Sequence, residues 1–278
     1  MTEITAHHGL FKDTNLHVDD TGGNGRPVVL IHGWPLSGES WTHQVPEFEA
    51  AGYRVVTYDR RGFGRSDKPL TGYTYDTLTD DLHTLLTELD LSDVTLIGFS
   101  MGGGEVARYF AKYGAERIRS AVFASAVPPY LLTTPGNPDG PLAATEAAKM
   151  AAQLTADREK FYDGFTTEFY SVDGVLTVSD EEQKRALALA LQASKAAALE
   201  CMTAFGTTDF REDLLKVSVP TLVIHGDSDG TVPFEGSGKR THEAIPASEL
   251  VLIAGAPHGV NVSHADEWNA AVLEFLAK

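Results

Sequence analysis

The chain is 278 residues long, with 42% apolar and 22% charged residues, which allows a sizeable buried core and argues against general disorder. Its formal charge of −17 argues against nucleic acid and anionic membranes as partners, because both would be repelled by such a surface. Cys201 is the only cysteine, which excludes a disulfide within the chain and hence a secreted disulfide scaffold.

Apolar runs that alternate with helical segments follow one another along most of the chain. Residues Ile4 to Asp20 indicate an antiparallel hairpin at a sheet edge. Most later runs are apolar on both faces, typical of strands buried in a parallel sheet, and their alternation with helices predicts βαβ units and an α/β fold. The predicted strands are Pro27–Ile31, Arg54–Tyr58, Val94–Phe99, Ser120–Ala126, Val219–His225 and Leu250–Ala254. The predicted helices are Glu39–Ala51, Tyr75–Leu89, Met101–Tyr113, Phe234–Ala244 and His264–Ala277.

The alternation stops between Pro128 and Lys216, where no convincing β run occurs. A loop rich in proline and glycine opens this segment, and alanine-rich helical stretches follow. One helical face there is predicted to carry Leu187, Leu191, Ala198 and Met202. Because ligands bind at the carboxyl ends of parallel strands, we expect an all-helical lid over that end. The predicted domains are a core, 1–127 and 217–278, and a helical cap, 128–216; a satellite subdomain without function is the alternative.

The segment Gly98-Phe99-Ser100-Met101-Gly102 fits the pattern G-x-S-x-G. A predicted strand precedes it and a predicted helix follows it, which is the setting that a nucleophile elbow requires. The two glycines allow the backbone to come close to itself at a sharp turn. A phosphate or dinucleotide loop is not indicated, because the segment has neither G-x-G-x-x-G nor a lysine after the glycines. Ser100 is therefore the predicted nucleophile.

A serine hydroxyl needs a neighbouring base, and in this architecture the chain order is serine, acid, histidine. One late strand runs into Gly226-Asp227-Ser228-Asp229-Gly230, and the last strand runs into Gly255-Ala256-Pro257-His258-Gly259. Both loops leave the carboxyl end of a strand, so both should lie on Ser100's side of the sheet. We predict His258 as the base and Asp229 as the acid. Asp227, which directly follows Gly226 and is expected to stabilise the turn, remains the alternative acid.

The oxyanion hole is expected to use the backbone N–H of Met101 and one from the loop His32-Gly33-Trp34-Pro35-Leu36. Pro35 has no N–H, so Trp34 is the predicted second donor, and the Pro35 carbonyl is left to accept from a small molecule. Strand-closing His32 and His225 are expected to be structural. His7, His8 and His17 lack carboxylate or cysteine partners at ligand spacing, so no metal site is predicted. A small apolar pocket is predicted from Trp34, Pro35, Phe99, Met101, Tyr130, Val232 and Val260.

Several segments together resemble the bacterial cofactor-free haloperoxidases, which overlap with aryl esterases and perhydrolases. The resemblance runs over nearly the whole chain. It implies an α/β-hydrolase fold with a mostly parallel eight-stranded sheet, helices on both faces and a helical cap inserted before the last two strands. It also implies Ser100, Asp229 and His258 as the triad, with no haem or metal cofactor. The segments are HGWPLSGESW, YDRRGFGRSDKP, GFSMGGGE, SAVPPYLL with NPDG, TDFREDL, HGDSDGTVP and PHGV.

Members of that family hydrolyse small esters, and with hydrogen peroxide and a short carboxylic acid they form peracids that oxidise halide in solution. Pro35 is similar to the arrangement in members that are good at perhydrolysis. Many haloperoxidases carry Phe where this chain has Trp34. We therefore expect a serine hydrolase of small carboxylic esters with perhydrolase and haloperoxidase side activity.

Alternative functions use the same architecture. Haloalkane dehalogenases and epoxide hydrolases resemble this chain in the segments HGWP and DRRGFGRS. They use Asp as the nucleophile, so Ser100 argues against both. Carbon–carbon bond hydrolases, lactonases and lactamases keep the triad and are separated only by a substrate panel. A non-catalytic small-molecule receptor need not keep all three catalytic positions.

The expected location and partners follow from absences in the sequence. The first twenty residues contain no signal-peptide pattern, and no run of the chain is long enough to span a bilayer. We therefore expect a soluble, cytoplasmic protein whose partner is a small ester, with homo-oligomerisation left open.

Overall fold

A computed structural model of the chain describes residues 2–6 and 13–278. In the described chain, eight strands form one sheet in the order β1-β2-β4-β3-β5-β6-β9-β10. Strand β2 is antiparallel to both of its neighbours, and the remaining neighbouring pairs are parallel. The predicted mostly parallel eight-stranded sheet is confirmed. The eight strands of this sheet are β1 (Thr2–Ala6), β2 (Thr14–Asp20), β3 (Pro27–Ile31), β4 (Arg54–Tyr58), β5 (Val94–Phe99), β6 (Ile118–Ala124), β9 (Thr221–Gly226) and β10 (Glu249–Ile253). Two further strands, β7 (Ser171–Val172) and β8 (Val175–Leu176), form a separate two-stranded sheet.

The helices fill the connections between these strands. The predicted helix Glu39–Ala51 is wrong as a single element, since a 3₁₀ turn at Gly38–Trp41 precedes a separate short helix with Pro46 in its first turn. None of the described helices is long and apolar enough to cross a membrane. The helices are α1 (Val45–Ala50), α2 (Tyr75–Glu88), α3 (Gly102–Tyr113), α4 (Ala144–Ala156), α5 (Arg158–Phe169), α6 (Asp180–Leu191), α7 (Lys195–Thr207), α8 (Arg211–Leu214), α9 (Gly238–Ala244), α10 (Val260–Ser263) and α11 (Ala265–Leu276).

Helices cover both faces of the sheet, as expected. Along β3, Val29 and Ile31 belong to one buried cluster, which also contains apolar side chains of α2 and α3. Val28 and Leu30 belong to a second cluster, together with side chains of α1 and α11. Successive residues of a strand point to opposite faces, so an apolar strand such as PVVLI contributes to both layers of core.

The predicted edge hairpin is confirmed by the antiparallel pairing of β1 with β2, from Thr2 opposite Val18 to Ala6 opposite Thr14. Residues 7–12, which include His7 and His8, lie outside the described residues. The last two strands of the sheet, β9 and β10, follow the long helical insertion, which agrees with the predicted position of the cap.

The insertion between β6 and β9 contains α4 to α8, but the prediction that it is all-helical is wrong. A small hairpin, β7 with β8, interrupts it around Asp173-Gly174, where both residues have positive φ. Two residues with positive φ make the type I′ turn for which Asp-Gly is favoured. The single predicted helical face is also wrong, because α6 ends before Ser194, whose side chain caps α7 at the N–H of Ala197.

The order of strands places two loops of interest side by side. The chain passes from β3 to β4 on one side of β3, and then crosses to β5 on its other side. The loops that leave the carboxyl ends of β3 and β5 therefore diverge and open a crevice, which is where open α/β sheets bind ligands. Trp34 follows β3 and Ser100 follows β5, so both lie at this crevice.

Candidate active site

Ser100 occupies the sharp turn between β5 and α3 and has a φ of 53°, a conformation that side chains rarely adopt. Its N–H donates to Ala124 O at 2.9 Å, and its carbonyl accepts from the N–H groups of Gly103 and Val127, both at 3.1 Å. These bonds hold a strained residue in place, and strain of this kind costs on the order of 1–3 kcal/mol. The hydroxyl is thereby presented at the top of the sheet.

The two glycines of the elbow permit this turn because a side chain at either position would collide with backbone. A Cβ at Gly98 would lie 2.5 Å from Gly102 O, and a Cβ at Gly102 would lie 2.5 Å from Ile31 O. Both separations are too short for carbon and oxygen without backbone movement. The glycines are required by close packing of the turn against its neighbours.

Ser100, His258 and Asp229 come together although they are distant in the chain. His258 Nε2 lies 2.9 Å from Ser100 Oγ, and His258 Nδ1 lies 2.7 Å from Asp229 Oδ2. An ionised carboxylate only accepts hydrogen bonds, so Nδ1 carries the proton and Nε2 presents a lone pair to the hydroxyl. The imidazole is 1% exposed, so this arrangement is shielded from water.

Asp229 is held by backbone donors from its own turn. Its Oδ1 accepts from the N–H groups of Thr231 and Val232, at 2.9 and 2.7 Å. Burial alone raises the pKa of Asp229, but the charge of His258 and hydrogen bonds from His225 and His258 outweigh it and hold the pKa below the usual range for Asp. The carboxyl group is therefore ionised at neutral pH.

Asp227, the alternative acid, has a different set of partners. Its Oδ1 accepts from Gly255 N at 2.7 Å and from Ser228 Oγ at 2.9 Å. Because Gly255 follows β10, this carboxylate joins the loop after β9 to the loop that carries His258. Asp227 thus stabilises the turns, and the carboxylate in contact with the imidazole is that of Asp229.

Aromatic side chains pack around His258. Phe99, predicted to line the pocket, lies behind the imidazole with a centroid separation of 5.2 Å. Phe169, the last residue of α5, packs edge-on against the same ring at 4.8 Å, and its carbonyl accepts from Gly259 N at 2.9 Å. The insertion therefore contacts the histidine loop directly.

Both predicted oxyanion donors are free to bind a substrate oxygen. No hydrogen bond among the described residues uses the backbone N–H of Trp34 or of Met101. The carbonyl of Gly33 accepts from Leu36 N at 3.0 Å and lies 2.9 Å from His32 Nδ1. Since a peptide unit is planar, fixing the Gly33 carbonyl also fixes the opposite direction of the Trp34 N–H.

The protonation of His32 is set by its neighbours. The backbone N–H of Arg60 donates to His32 Nε2 at 3.0 Å, so the ring proton is on Nδ1, facing Gly33 O. Burial, followed by the charge of Arg60, lowers the pKa of His32 to about 3, which keeps the ring neutral. The prediction that His32 is structural is consistent with this arrangement, and the element it orients is the Trp34 peptide.

A buried ion pair joins the loop after β3 to α3. Arg60 Nη2 donates to His32 O at 2.7 Å, and Arg60 Nε donates to Glu105 Oε1 at 2.7 Å. The hydroxyl of Tyr58 donates to the other oxygen of Glu105 at 2.9 Å. Arg60 and Glu105 are almost wholly buried, and together they connect the two segments that carry the predicted oxyanion donors.

A cavity of about 330 Å³ opens beside Ser100. Trp34 and Val232 line it, as predicted, and most of the remaining wall is apolar. Two carboxylates of the insertion, Glu146 on α4 and Glu168 on α5, also border it. Other apolar lining residues are Leu131, Leu142, Met150, Phe165 and Phe205.

The other predicted pocket residues do not line this cavity. Met101 and Pro35 are buried in the turns that bear them. Val260 is wholly buried at the start of α10. Tyr130 turns toward Arg211, whose guanidinium carbon lies 5.7 Å from its ring centre. For Met101 and Val260, nearness in sequence to Ser100 or His258 did not predict the direction in which the side chain points, and Tyr130 does not reach the cavity from the insertion as predicted.

Sequence reasoning missed the aromatic contribution of α5 and α7. Phe161, Phe165 and Phe169 recur every four residues, a spacing that places them on one face of a helix. That spacing was the available signal. The indole of Trp34 packs against Phe165 at 5.1 Å, and its N–H donates to Ala198 O in α7 at 3.1 Å.

Among the described residues, no group of three or more His, Cys, Asp or Glu side chains could hold a metal ion. His17 lies on β2 with its Nε2 3.3 Å from Asp19 Oδ1. His7 and His8 lie outside the described residues.

Comparison with known proteins gives the family. Residues 26–265 match the family model described as alpha/beta hydrolase fold. A non-heme chloroperoxidase of Kitasatospora aureofaciens is 43% identical over 260 residues, which is 92% of this chain and 94% of that protein. A bifunctional esterase/perhydrolase of Acinetobacter calcoaceticus is 36% identical over 279 residues, 99% of each protein. A bromoperoxidase crystal structure from Bacillus anthracis matches with a TM-score of 0.95 and 51% identity, covering 100% of this chain and 99% of that one. The chain therefore belongs to the α/β-hydrolase family and, within it, to the group of non-heme haloperoxidases and esterases.

Proposed function

We propose that the protein is a serine esterase in which Ser100 is the nucleophile, His258 the general base and Asp229 the residue that orients the base. The observation that carries this proposal is the hydrogen-bond chain from Ser100 Oγ through His258 to Asp229, at 2.9 and 2.7 Å. Such distances are short enough for proton transfer. The relatives named non-heme chloroperoxidase and esterase/perhydrolase support the same chemistry.

In the acylation half-reaction, Ser100 Oγ attacks the ester carbonyl carbon while its proton passes to His258 Nε2. The N–H groups of Trp34 and Met101 donate to the oxyanion that forms. When the tetrahedral intermediate collapses, the bond to the alcohol oxygen breaks and His258 returns the proton to the leaving alcohol. Asp229 stays ionised throughout and stabilises the imidazolium.

In the second half-reaction, His258 takes a proton from water, and the resulting hydroxide oxygen attacks the acyl carbon. Collapse releases the carboxylic acid and returns the proton to Ser100. If hydrogen peroxide takes the place of water, the same steps release a peracid instead, which oxidises halide in solution. Perhydrolysis therefore requires no further catalytic group.

The cavity supports small esters as substrates. Its volume of about 330 Å³ is at the lower end of the range for ligand pockets. Its wall is largely apolar, so short acyl or aryl groups are the expected occupants. An activity that rises steadily with acyl length would contradict this substrate class.

We further propose that residues 128–216 act as a cap over a core formed by 1–127 and 217–278. The support is that α4, α5 and α7 of this segment supply much of the cavity wall, and that Phe169 packs on His258. Cap residues would then determine acyl specificity, while the chemistry stays on the core.

We propose that Pro35 favours perhydrolysis through its backbone carbonyl and not through its side chain, which is not part of the cavity wall. Among the described residues, no backbone N–H donates to Pro35 O, so this carbonyl can accept from hydrogen peroxide. The resemblance to perhydrolytic members supports this role. Peracetic acid formation and acetate-ester hydrolysis should be measured in parallel for the wild type and Pro35→Gly. A ratio that does not change would show that Pro35 is structural.

The decisive experiment is Ser100→Ala with p-nitrophenyl acetate. We expect kcat to fall by a factor on the order of 10⁴–10⁶, and fluorophosphonate labelling to disappear. Ser125→Ala is the matched control, because Ser125 is also buried, follows the neighbouring strand β6 and has positive φ, yet its hydroxyl has no hydrogen-bond partner among the described residues. Retention of most activity by Ser100→Ala would end the assignment.

A cytoplasmic location and homo-oligomerisation, which the sequence leaves open, remain predictions, as does the lack of nucleic-acid binding. The single cysteine supports the cytoplasmic location, and the charge of −17 supports the lack of nucleic-acid binding. Cell fractionation and size-exclusion chromatography with light scattering would test the first two.

A further inference from the structure

We propose that His225 is a positioning residue that holds the carboxylate of Asp229 in its reactive orientation. His225 lies in β9 and is wholly buried. Its Nε2 is 2.8 Å from Val232 O and 3.2 Å from Asp229 Oδ2. This inference rests on the proposed function, since it concerns the same catalytic acid.

The tautomer of His225 follows from its neighbours. A backbone carbonyl and an ionised carboxylate only accept hydrogen bonds, so the nitrogen that faces both of them, Nε2, must carry the proton. Nδ1 is buried and has no hydrogen-bond partner among the described residues. It faces Gly238, where an added Cβ would lie 2.5 Å from Nδ1. The ring is therefore held as the Nε2–H tautomer against the acid turn.

Three contacts link His225, Asp229 and Val232 in a closed circuit. Asp229 Oδ1 accepts from Val232 N, Val232 O accepts from His225 Nε2, and that same nitrogen contacts Asp229 Oδ2. Rotation of the carboxylate about its Cβ–Cγ bond would break at least two of these contacts. This circuit of contacts fixes the position of Asp229 Oδ2, which lies 2.7 Å from His258 Nδ1.

The contact also matters electrostatically. His258 Nδ1 donates to Oδ2, and His225 Nε2, whose N–H is directed mainly to Val232 O, lies 3.2 Å from the same carboxylate oxygen. The interaction with His225 helps to keep the pKa of Asp229 low against the effect of burial. An Asp229 that remains ionised stabilises the imidazolium formed when Ser100 gives up its proton. His225 is wholly buried and does not line the cavity, so it acts through Asp229.

Two substitutions of similar size separate this role from simple packing. His225→Gln keeps an N–H donor near the position of Nε2, whereas His225→Leu fills the space without one. We expect His225→Leu to lower kcat for p-nitrophenyl acetate by roughly 10- to 100-fold, as for loss of a hydrogen bond to a charged group, with KM changed less than about threefold. His225→Gln should retain kcat within about threefold of wild type.

Fluorophosphonate titration counts the folded, reactive sites, so that kcat is normalised to competent enzyme. Equal kcat values for the Leu and Gln variants, whether high or low, would overturn the proposal. If His225→Leu does not fold, Gly238→Ala takes its place. The added methyl group would lie 2.5 Å from His225 Nδ1 and would therefore displace the imidazole. A lower kcat with a similar KM supports the proposal, and an unchanged kcat overturns it. Failure of the proposed function would be seen in a separate experiment, as esterase activity that is retained in Ser100→Ala.

Discussion

Removing the carboxylate of Glu105 should destabilise the protein severely. Glu105 and Arg60 are almost wholly buried and paired, so Glu105→Leu leaves a guanidinium in the interior with His32 O as its strongest remaining acceptor. Breaking one side of a buried ion pair costs about 3–5 kcal/mol, because the remaining charge is desolvated without compensation. At roughly 2–4 °C per kcal/mol for a protein of this size, Tm should fall by about 10 °C.

Urea unfolding followed by tryptophan fluorescence measures this loss. All three tryptophans, Trp34, Trp41 and Trp268, are buried and report on the folded core. The double variant Arg60→Met/Glu105→Leu removes both charges and should be more stable than Glu105→Leu by at least about 1 kcal/mol. Glu105→Gln, which keeps an acceptor for Arg60, should lie between wild type and Glu105→Leu.

Two results would refute this reasoning. A loss below about 1 kcal/mol in Glu105→Leu would mean that the guanidinium finds water or another partner at little cost. A double variant less stable than Glu105→Leu would mean that Arg60 stabilises the fold without its carboxylate.

Three further predictions concern pH, the contact between Trp34 and α7, and substrate charge. Burial raises the pKa of Asp59, but hydrogen bonds from Arg65 outweigh it and lower the pKa overall. Ionised Asp59 therefore stabilises the folded protein above about pH 4, and this contribution to the free energy of unfolding is lost as pH falls. The free energy of unfolding should thus fall less between about pH 5 and 2 in Asp59→Asn than in wild type, and equal slopes would contradict this. Trp34→Phe removes the indole bond to Ala198 O and should cost about 0.5–1.5 kcal/mol in urea unfolding; an unchanged midpoint at equal m-value would show that the bond contributes nothing. Glu168→Gln should raise kcat/KM about two- to fivefold at low salt for esters with a carboxylate in the acyl chain, but not for neutral esters of equal length, and a uniform change would refute the electrostatic explanation.

The core strands were predictable because buried parallel strands have a local signature. Three predicted strands, Pro27–Ile31, Arg54–Tyr58 and Val94–Phe99, agree with the structure residue for residue. The start of β9 was predicted two residues too early, at Val219, because Pro220 has no N–H for the sheet ladder and the strand begins at Thr221. Apolar runs indicate a strand, but hydrogen-bonding capacity decides its ends.

The insertion was less predictable. The helical prediction for this segment does not contain the Asp173-Gly174 hairpin, although Asp-Gly between β-branched residues is a turn signal. The break between α6 and α7 depends on the cap made by Ser194, which a helical face drawn through both segments ignores. Both breaks in the helical pattern are thus set by local turn and cap residues.

Local patterns in the sequence determined the strands of the core, the glycine-bounded elbow at Ser100 and the two later loops that carry Asp229 and His258. Each is set by residues near one another in the chain: apolar periodicity, glycines that permit a tight turn, and polar residues directly after a strand.

Tertiary packing alone decided which side chains surround Ser100. Phe169 against His258, and the indole of Trp34 against Ala198 O, join segments far apart in the chain. Tyr130 turns toward Arg211 for the same reason. Such contacts depend on how helices of the insertion pack on the sheet, and no local propensity encodes that geometry, because its energy arises only when both surfaces meet.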